Sequence, residues 1–178
     1  LERYQTVTQK ALAMGMRVRS YISCVLGCPY EGFVDPVVTQ KLVDTFLSWG
    51  SYQVSLGDTI GKGSPGTTRR LLDVVLKSIP KDKIAMHFHN TYGQAIANIY
   101  LSLEYGIHTF DASLSGLGGC PYALGATGNV ATEDVVYLLN GLGIAHGIDW
   151  DKLMAAGRFI DQALDRISAS QVARAERG

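Results

Sequence analysis

The stretch IAMHFHNTYGQAIANIYLSLEYG, residues 84–106, contains both kinds of element from which the rest of the chain is built. Its first six residues alternate between apolar side chains and a second set with two histidines, which is typical of a strand with two different faces. Residues 93–105 change to helical spacing, and Gly106 ends that helix. One strand face comprises Ile84, Met86 and Phe88, and the other Ala85, His87 and His89.

The same strand–helix unit recurs along the chain. Asp35-Pro36 and Ser64-Pro65 each combine an N-cap residue with proline at the first helical position. Strands that alternate with helices pair in parallel through right-handed crossovers, so we expect a parallel sheet. The predicted strands are 17–25, 52–57, 84–89 and 109–115, and the predicted helices are 1–15, 36–49, 65–79, 93–105, 131–141 and 151–168, before a polar tail that frays.

Each predicted strand has one apolar and one polar face, and this decides the fold class. A doubly wound sheet covered by helices on both sides needs two apolar faces. A barrel needs apolar side chains only toward its helices and tolerates polar groups inside, near the carboxyl ends of the strands. The sequence therefore predicts an α/β fold: a partial (β/α)8 barrel of about four βα units with a leading and a trailing helix.

The composition fits a single globular domain over residues 1–178. The chain is 47% hydrophobic, and its 16 basic and 16 acidic residues cancel, which argues against nucleic-acid and membrane partners. We expect no transmembrane helix and no targeting segment. About 250 residues are usual for a whole barrel, so we expect the N-terminal strands to be absent from this chain.

Two histidines separated by one residue on a strand lie on the same face, so both can bind one cation. Neutral imidazole is a common ligand of transition metals, whereas Mg and Mn also require oxygen ligands. Asn129 is a candidate amide ligand. Alternatively, it is the N-cap residue of a helix that begins near Ala131. Two polar strand residues without a metal are the alternative for His87 and His89.

Cys120 lies within a glycine-rich loop over residues 116–129. A loop of this length in a compact domain is often a lid, and a thiol on a lid can take part in proton transfer when the lid closes. A loop residue without a catalytic role is the alternative. The other two cysteines, Cys24 and Cys28, are expected to be structural thiols in a reducing compartment.

Asp58 follows a predicted strand and allows two interpretations. It is either a carboxylate at the barrel mouth that orients a histidine or moves a proton, or a turn residue that binds its own backbone. Tyr21 and Ser55 lie on the polar strand faces, where they either contact a ligand or pack in the interior.

These motifs resemble those of the hydroxymethylglutaryl-CoA lyases, a family of aldolase-like, metal-dependent barrel enzymes. The resemblance extends over almost the whole chain, and the cysteine loop is its most specific part. The matching stretches are SCVLGCPYEG at 23–32, SLGDTIG at 55–61, HFHNTYGQA at 87–95, SGLGGCPYA at 115–123 and GNVATED at 128–134.

The resemblance implies a retro-Claisen cleavage that gives acetyl-CoA and acetoacetate, with Mg or Mn as the divalent metal. It implies that the substrate is an acyl-CoA thioester. The implied metal ligands are His87 and His89, with Asn129 close to the metal. The implied catalytic residues are Cys120, Asp58 and again His87, and the implied substrate contacts are Tyr21, Ser55 and Thr59.

One departure limits this expectation. The family has an Arg-Asp pair at the end of its first strand and a glutamate on the next strand, and this chain has no such segment. We therefore expect the isolated chain to have weak metal affinity and little activity.

Two alternatives remain open from the sequence. A condensing relative or an aldolase acting on a keto acid would use the same histidine pair. A half-barrel without catalytic activity would pair through its open strand edges. We also expect a homodimer, located in the cytoplasm of a bacterium or in the mitochondrial matrix of an animal.

Overall fold

The computed structural model describes residues 1–119 and 128–176, and it shows strands and helices in alternation. The helices are α1 (Glu2–Ala13), α2 (Pro36–Ser48), α3 (Pro65–Val75), α4 (Ala95–Glu104), α5 (Thr132–Gly141), α6 (Trp150–Ala163) and α7 (Gln171–Ala175). The strands are β1 (Arg19–Ile22), β2 (Gln53–Asp58), β3 (Ile84–Phe88) and β4 (Phe110–Asp111). Within these residues, no helix is long and apolar enough to cross a membrane.

The four strands form one sheet in the order β1-β2-β3-β4, and every pair is parallel. This confirms the predicted α/β architecture. The register places Tyr21 beside Ser55, Ser55 beside Ala85, and His87 beside Asp111. Since partners in register share a face, Arg19, Tyr21, Ser55, His87 and Asp111 lie on one side of the sheet, whereas Ser20 and Asp58 lie on the other.

The other face of the sheet packs against the helices and forms the core. Leu56, Met86 and Phe88 are at most 1% exposed, and they contact apolar side chains of α2, α3 and α4. The polar face is left for a ligand, as expected for the interior of a barrel near the carboxyl ends of its strands.

The starts of α2 and α3 are as the sequence predicts. The Asp35 side chain accepts a hydrogen bond from the backbone N–H of Val37, and Pro36 follows it. Ser64 and Thr67 form a reciprocal capping box at the start of α3. These caps fix where the helices leave the carboxyl ends of β1 and β2.

Several predicted boundaries are wrong. The helix predicted over 151–168 ends at Ala163 as α6. The first strand is shorter than 17–25, and α3 ends at Val75 rather than near residue 79. The fourth strand stops at Asp111, and a 3₁₀ turn, Leu114–Gly116, replaces its second half. The tail does not fray after α6, because Ser170 caps the short helix α7 through the backbone N–H of Ala173.

We expect Leu72→Ala to lower the free energy of unfolding by about 2–5 kcal/mol, because its fully buried side chain would leave a cavity. Leu142→Ala is the matched control, since that side chain is 42% exposed. Urea unfolding of both variants measures the difference. Equal losses would contradict the position of the core.

Candidate metal centre and active site

His87 and His89 lie next to each other at the carboxyl end of β3. The centroids of the two imidazole rings are 5.3 Å apart. The Nδ1 atoms of both rings are buried and have no hydrogen-bond partner among the described residues. Unpaired polar atoms are costly in a protein interior, so this pair of nitrogens is suited to a ligand.

Asn129 is brought to the same place by the backbone. It forms an antiparallel bridge with His89, and residues paired in this way have side chains on the same side of the two segments. The Asn129 Nδ2 donates to the carbonyl oxygen of Leu117 at 2.8 Å, which leaves Oδ1 buried without a partner among the described residues. The N-cap of α5 is Ala131, so the alternative of Asn129 as the N-cap is wrong.

Two imidazoles and an amide oxygen fit a divalent cation as a partial ligand set. Burial lowers the pKa of both histidines, and the neighbouring His87 lowers that of His89 further. Both rings are therefore neutral near pH 7, which is the form that binds metal ions. Among the described residues there is no cluster of three or more His, Cys, Asp or Glu side chains arranged for a metal, so a carboxylate ligand is missing from this set.

Asp111 is the carboxylate nearest to the pair, and other groups already engage it. Its Oδ1 accepts from Arg19 Nη1 at 2.8 Å, and its Oδ2 accepts from the Ser55 hydroxyl at 2.6 Å. The His87 Nδ1 lies 3.8 Å from Oδ2, beyond a hydrogen bond. Asp111 therefore balances the Arg19 charge and lies beside the His87 ring.

The sequence predicts a polar face on each strand but no role for Arg19 or Asp111. The contact between them joins positions 92 residues apart. The available signal was strand parity, since Arg19, Ser55, His87 and Asp111 all fall on one face when the strands are in register.

The three residues predicted to contact substrate have different surroundings. Tyr21 is 55% exposed on the polar face, and its ring is 6.5 Å from that of His87, edge to face. Ser55 is fully buried, and its hydroxyl donates a hydrogen bond to Asp111. Thr59 Oγ1 accepts a hydrogen bond from the Cys24 N–H at 2.8 Å. Tyr21 is thus accessible to a ligand, whereas the hydroxyls of Ser55 and Thr59 have internal partners. All three substrate roles stay predictions.

Asp58 lies on the helix-facing side of the sheet, in register with Phe88 and not with His87. Its two oxygens accept from the backbone N–H groups of Lys62 and Gly63 at 3.1 and 2.8 Å. Burial raises its pKa, which the backbone donors partly offset. The Asp58 carboxylate thus binds the backbone of the turn that follows it. Its role in a proton relay stays a prediction, and this geometry does not support it.

We expect Asp58→Ala to lower the free energy of unfolding by about 2–4 kcal/mol, because the N–H groups of Lys62 and Gly63 would lose their acceptors. Asp58→Asn keeps one acceptor oxygen and should lose less. Thermal or urea unfolding of both variants measures this order. A stability unchanged in Asp58→Ala would contradict the structural role.

Cys120, the predicted lid thiol, lies outside the described residues. The two ends of its loop are described, and they approach each other closely. Gly128 has φ +99°, and a Cβ atom there would lie 1.9 Å from the carbonyl oxygen of Gly118. Only glycine fits at this position, because any side chain would force the two ends of the loop apart.

The chain forms a half-barrel of parallel strands, and possible ligand atoms lie at the carboxyl ends of these strands. This arrangement defines a class of proteins. It is the class of (β/α)8-barrel proteins whose functional sites lie on that rim. The chain belongs to the HMGL-like family, which matches residues 2–160.

Individual relatives agree with this assignment. The chain is 54% identical over 175 residues to the 3-hydroxy-3-isohexenylglutaryl-CoA/hydroxy-methylglutaryl-CoA lyase of Pseudomonas aeruginosa, covering 98% of this chain and 58% of that protein. It is 50% identical to the mitochondrial hydroxymethylglutaryl-CoA lyase of Bos taurus, covering 98% of this chain and 54% of that protein. The chain therefore spans between one half and two thirds of these relatives.

A solved structure confirms the fold. The crystal structure of hydroxymethylglutaryl-CoA lyase from Pseudomonas aeruginosa superimposes with a TM-score of 0.94 at 54% identity, over 98% of this chain and 58% of that one. The prediction of a partial barrel of this family is thus confirmed.

Proposed function

We propose that this chain forms one part of a hydroxymethylglutaryl-CoA lyase site, which cleaves hydroxymethylglutaryl-CoA to acetyl-CoA and acetoacetate. The observation that carries the proposal is a set of three buried atoms without partners among the described residues: His87 Nδ1, His89 Nδ1 and Asn129 Oδ1. The two rings are neighbours, and Asn129 forms a bridge with His89. The names of the lyases to which the chain is about half identical support the same reaction.

In this reaction the proton of the substrate's tertiary hydroxyl is removed, and that oxygen becomes the ketone oxygen of acetoacetate. The adjacent carbon–carbon bond breaks, and its electron pair passes to the thioester as an enolate. Protonation of the enolate carbon then gives acetyl-CoA. The chemistry thus requires a base, an acid and stabilisation of negative charge on oxygen.

His87, His89 and Asn129 would hold the divalent cation, Mg or Mn. When bound, such a cation lowers the pKa of the substrate hydroxyl and stabilises the developing oxygen charge. Arg19 donates a hydrogen bond to Asp111 and so holds this carboxylate beside the His87 ring. We assign proton transfer to Cys120 and His87, as the resemblance implies, and contact with the acyl-CoA substrate to Tyr21.

The remaining parts of the proposal concern the whole protein. The relatives include a bacterial and a mitochondrial lyase. We therefore propose that this protein is located either in the cytoplasm of a bacterium or in the mitochondrial matrix of an animal. We also propose a homodimer. Sedimentation equilibrium tests the dimer, and a monomeric mass would contradict it.

The test compares the chain with a chimera, in which the chain replaces the matching 175 residues of the Pseudomonas aeruginosa relative. We expect the chimera to release acetoacetate from hydroxymethylglutaryl-CoA when Mg²⁺ or Mn²⁺ is present. The isolated chain should show little or no turnover, because its ligand set has no carboxylate. Full turnover by the isolated chain, or products of condensation from the chimera, would contradict the proposal.

A further inference from the structure

A buried polar cluster surrounds Ser115, at the start of the loop that follows β4. Ser115 is fully buried and has φ +54° and ψ +20°, a left-handed conformation that costs a residue other than glycine about 1 kcal/mol or more. Such strain persists only where the surroundings hold it in place.

Four side chains hold Ser115 in this conformation. Its backbone N–H donates to both carboxylate oxygens of Glu133 at 3.0 Å, and Glu133 is itself fully buried. Its hydroxyl donates to Asp161 Oδ1 at 2.5 Å and lies 2.7 Å from the Ser168 hydroxyl. The Arg166 guanidinium donates to its carbonyl oxygen at 3.2 Å.

These partners come from α5, α6 and the segment after α6, so Ser115 joins the base of the loop to the last third of the chain. The backbone N–H of Ala169 also donates to the Ser115 carbonyl at 3.3 Å. A hydroxyl held on a carboxylate is a charge-assisted hydrogen bond, stronger than one between neutral groups. The conformation of Ser115 is therefore fixed from several directions at once.

A short path leads from Ser115 to the Asn129 amide. The turn at Ser115 sets the position of Leu117, whose N–H donates to the carbonyl of Leu114 at 3.0 Å. The Leu117 carbonyl in turn accepts from Asn129 Nδ2. Because this bond takes the NH₂ end of the amide, it decides that Oδ1 is the atom left without a partner.

We propose that Ser115 is a positioning residue, which orients the Asn129 amide through the Leu117 carbonyl so that Oδ1 faces the ligand. This inference deepens the proposed function and rests on it for its consequence, metal binding. The orientation itself is a property of the chain alone. Ser115 is fully buried, and the backbone of residues 115–117 connects it to Asn129.

The test uses the full 178-residue chain with ¹⁵N label. We expect Ser115→Ala to shift the side-chain NH₂ resonances of Asn129 and to weaken Mn²⁺ affinity, measured by electron paramagnetic resonance, by about tenfold. Ser102→Ala is the matched control, because it also removes one fully buried hydroxyl, bonded to the Asn98 carbonyl at 2.7 Å in α4. The control should lose comparable thermal stability and keep the Asn129 resonances and the Mn²⁺ affinity.

A second pair of variants keeps the inference testable if Ser115→Ala does not fold. Asp161→Asn retains an acceptor oxygen for the Ser115 hydroxyl, whereas Asp161→Ala does not. We expect the Asn129 resonances to move in Asp161→Ala and to stay near their original positions in Asp161→Asn. Unmoved Asn129 resonances in Ser115→Ala, or equal shifts in the two Asp161 variants, would overturn the inference.

His89→Ala separates this inference from the proposed function. If His89→Ala leaves Mn²⁺ affinity unchanged, the proposed metal site is wrong, whatever the Asn129 resonances show. If His89→Ala weakens Mn²⁺ affinity and Ser115→Ala does not, the metal site stands and the positioning role is overturned.

Discussion

Alanine in place of His89 in the chimera should lower Mn²⁺ affinity by more than about 100-fold, and turnover should fall with it. Even the outer partners of metal-binding histidines typically contribute about 10–100-fold to affinity or activity, so loss of a ligand should cost more. The same result is expected for His87→Ala. Isothermal titration calorimetry measures the affinity, and acetoacetate release measures the turnover.

His146→Ala is the control for this experiment. That residue is half-buried, and its Nε2 lies 2.8 Å from Asn140 Oδ1, between α5 and α6. The His146→Ala variant also removes one imidazole, but it does not change β3. The control should retain both Mn²⁺ affinity and turnover, and a His89→Ala chimera that does the same would refute the metal centre.

Cys120→Ala should lower kcat of the chimera by about 10²–10⁴-fold, because a positioned proton donor or acceptor contributes on that order. The Mn²⁺ affinity should not change, since the resemblance assigns this thiol to proton transfer and not to the metal. Steady-state kinetics with hydroxymethylglutaryl-CoA separates the effect on kcat from that on KM.

Cys28→Ala provides the matched control, as a half-buried cysteine with no predicted catalytic role. We expect it to retain nearly the whole kcat. A Cys120→Ala chimera with unchanged kcat would remove the thiol from the mechanism and leave the histidine pair unaffected.

Much of the fold could be predicted from sequence because it depends on local periodicity. The alternation along residues 84–89 gives the two faces of β3, and the proline-marked caps give the starts of α2 and α3. The histidine pair follows from the same alternation. These features need only neighbouring residues, so a single sequence contains them.

The alternation of side chains along β2 contained information about Asp58 that the site prediction did not use. By strand parity this residue falls on the side of Leu56, facing the helices, and the structure places it there. Its position at a strand end suggested the barrel mouth, but parity and the following N–H groups of Lys62 and Gly63 decided its contacts.

The cluster around Ser115 could not be predicted in the same way. Alternation extended the fourth strand through Ser115, whereas the carboxylate of Glu133 binds the Ser115 N–H and stabilises a turn there. Glu133 and Asp161 are 18 and 46 residues away in sequence. Contacts at such separations depend on how α5 and α6 pack, and periodicity does not contain that information.

Anomalous scattering from crystals of the chimera grown with Mn²⁺ tests the central claim most directly. We predict one strong peak bonded to imidazole nitrogens of His87 and His89 and to Asn129 Oδ1, at distances on the order of 2.2 Å. A Mn²⁺ ion bound elsewhere, with these three side chains free of it, would contradict the account.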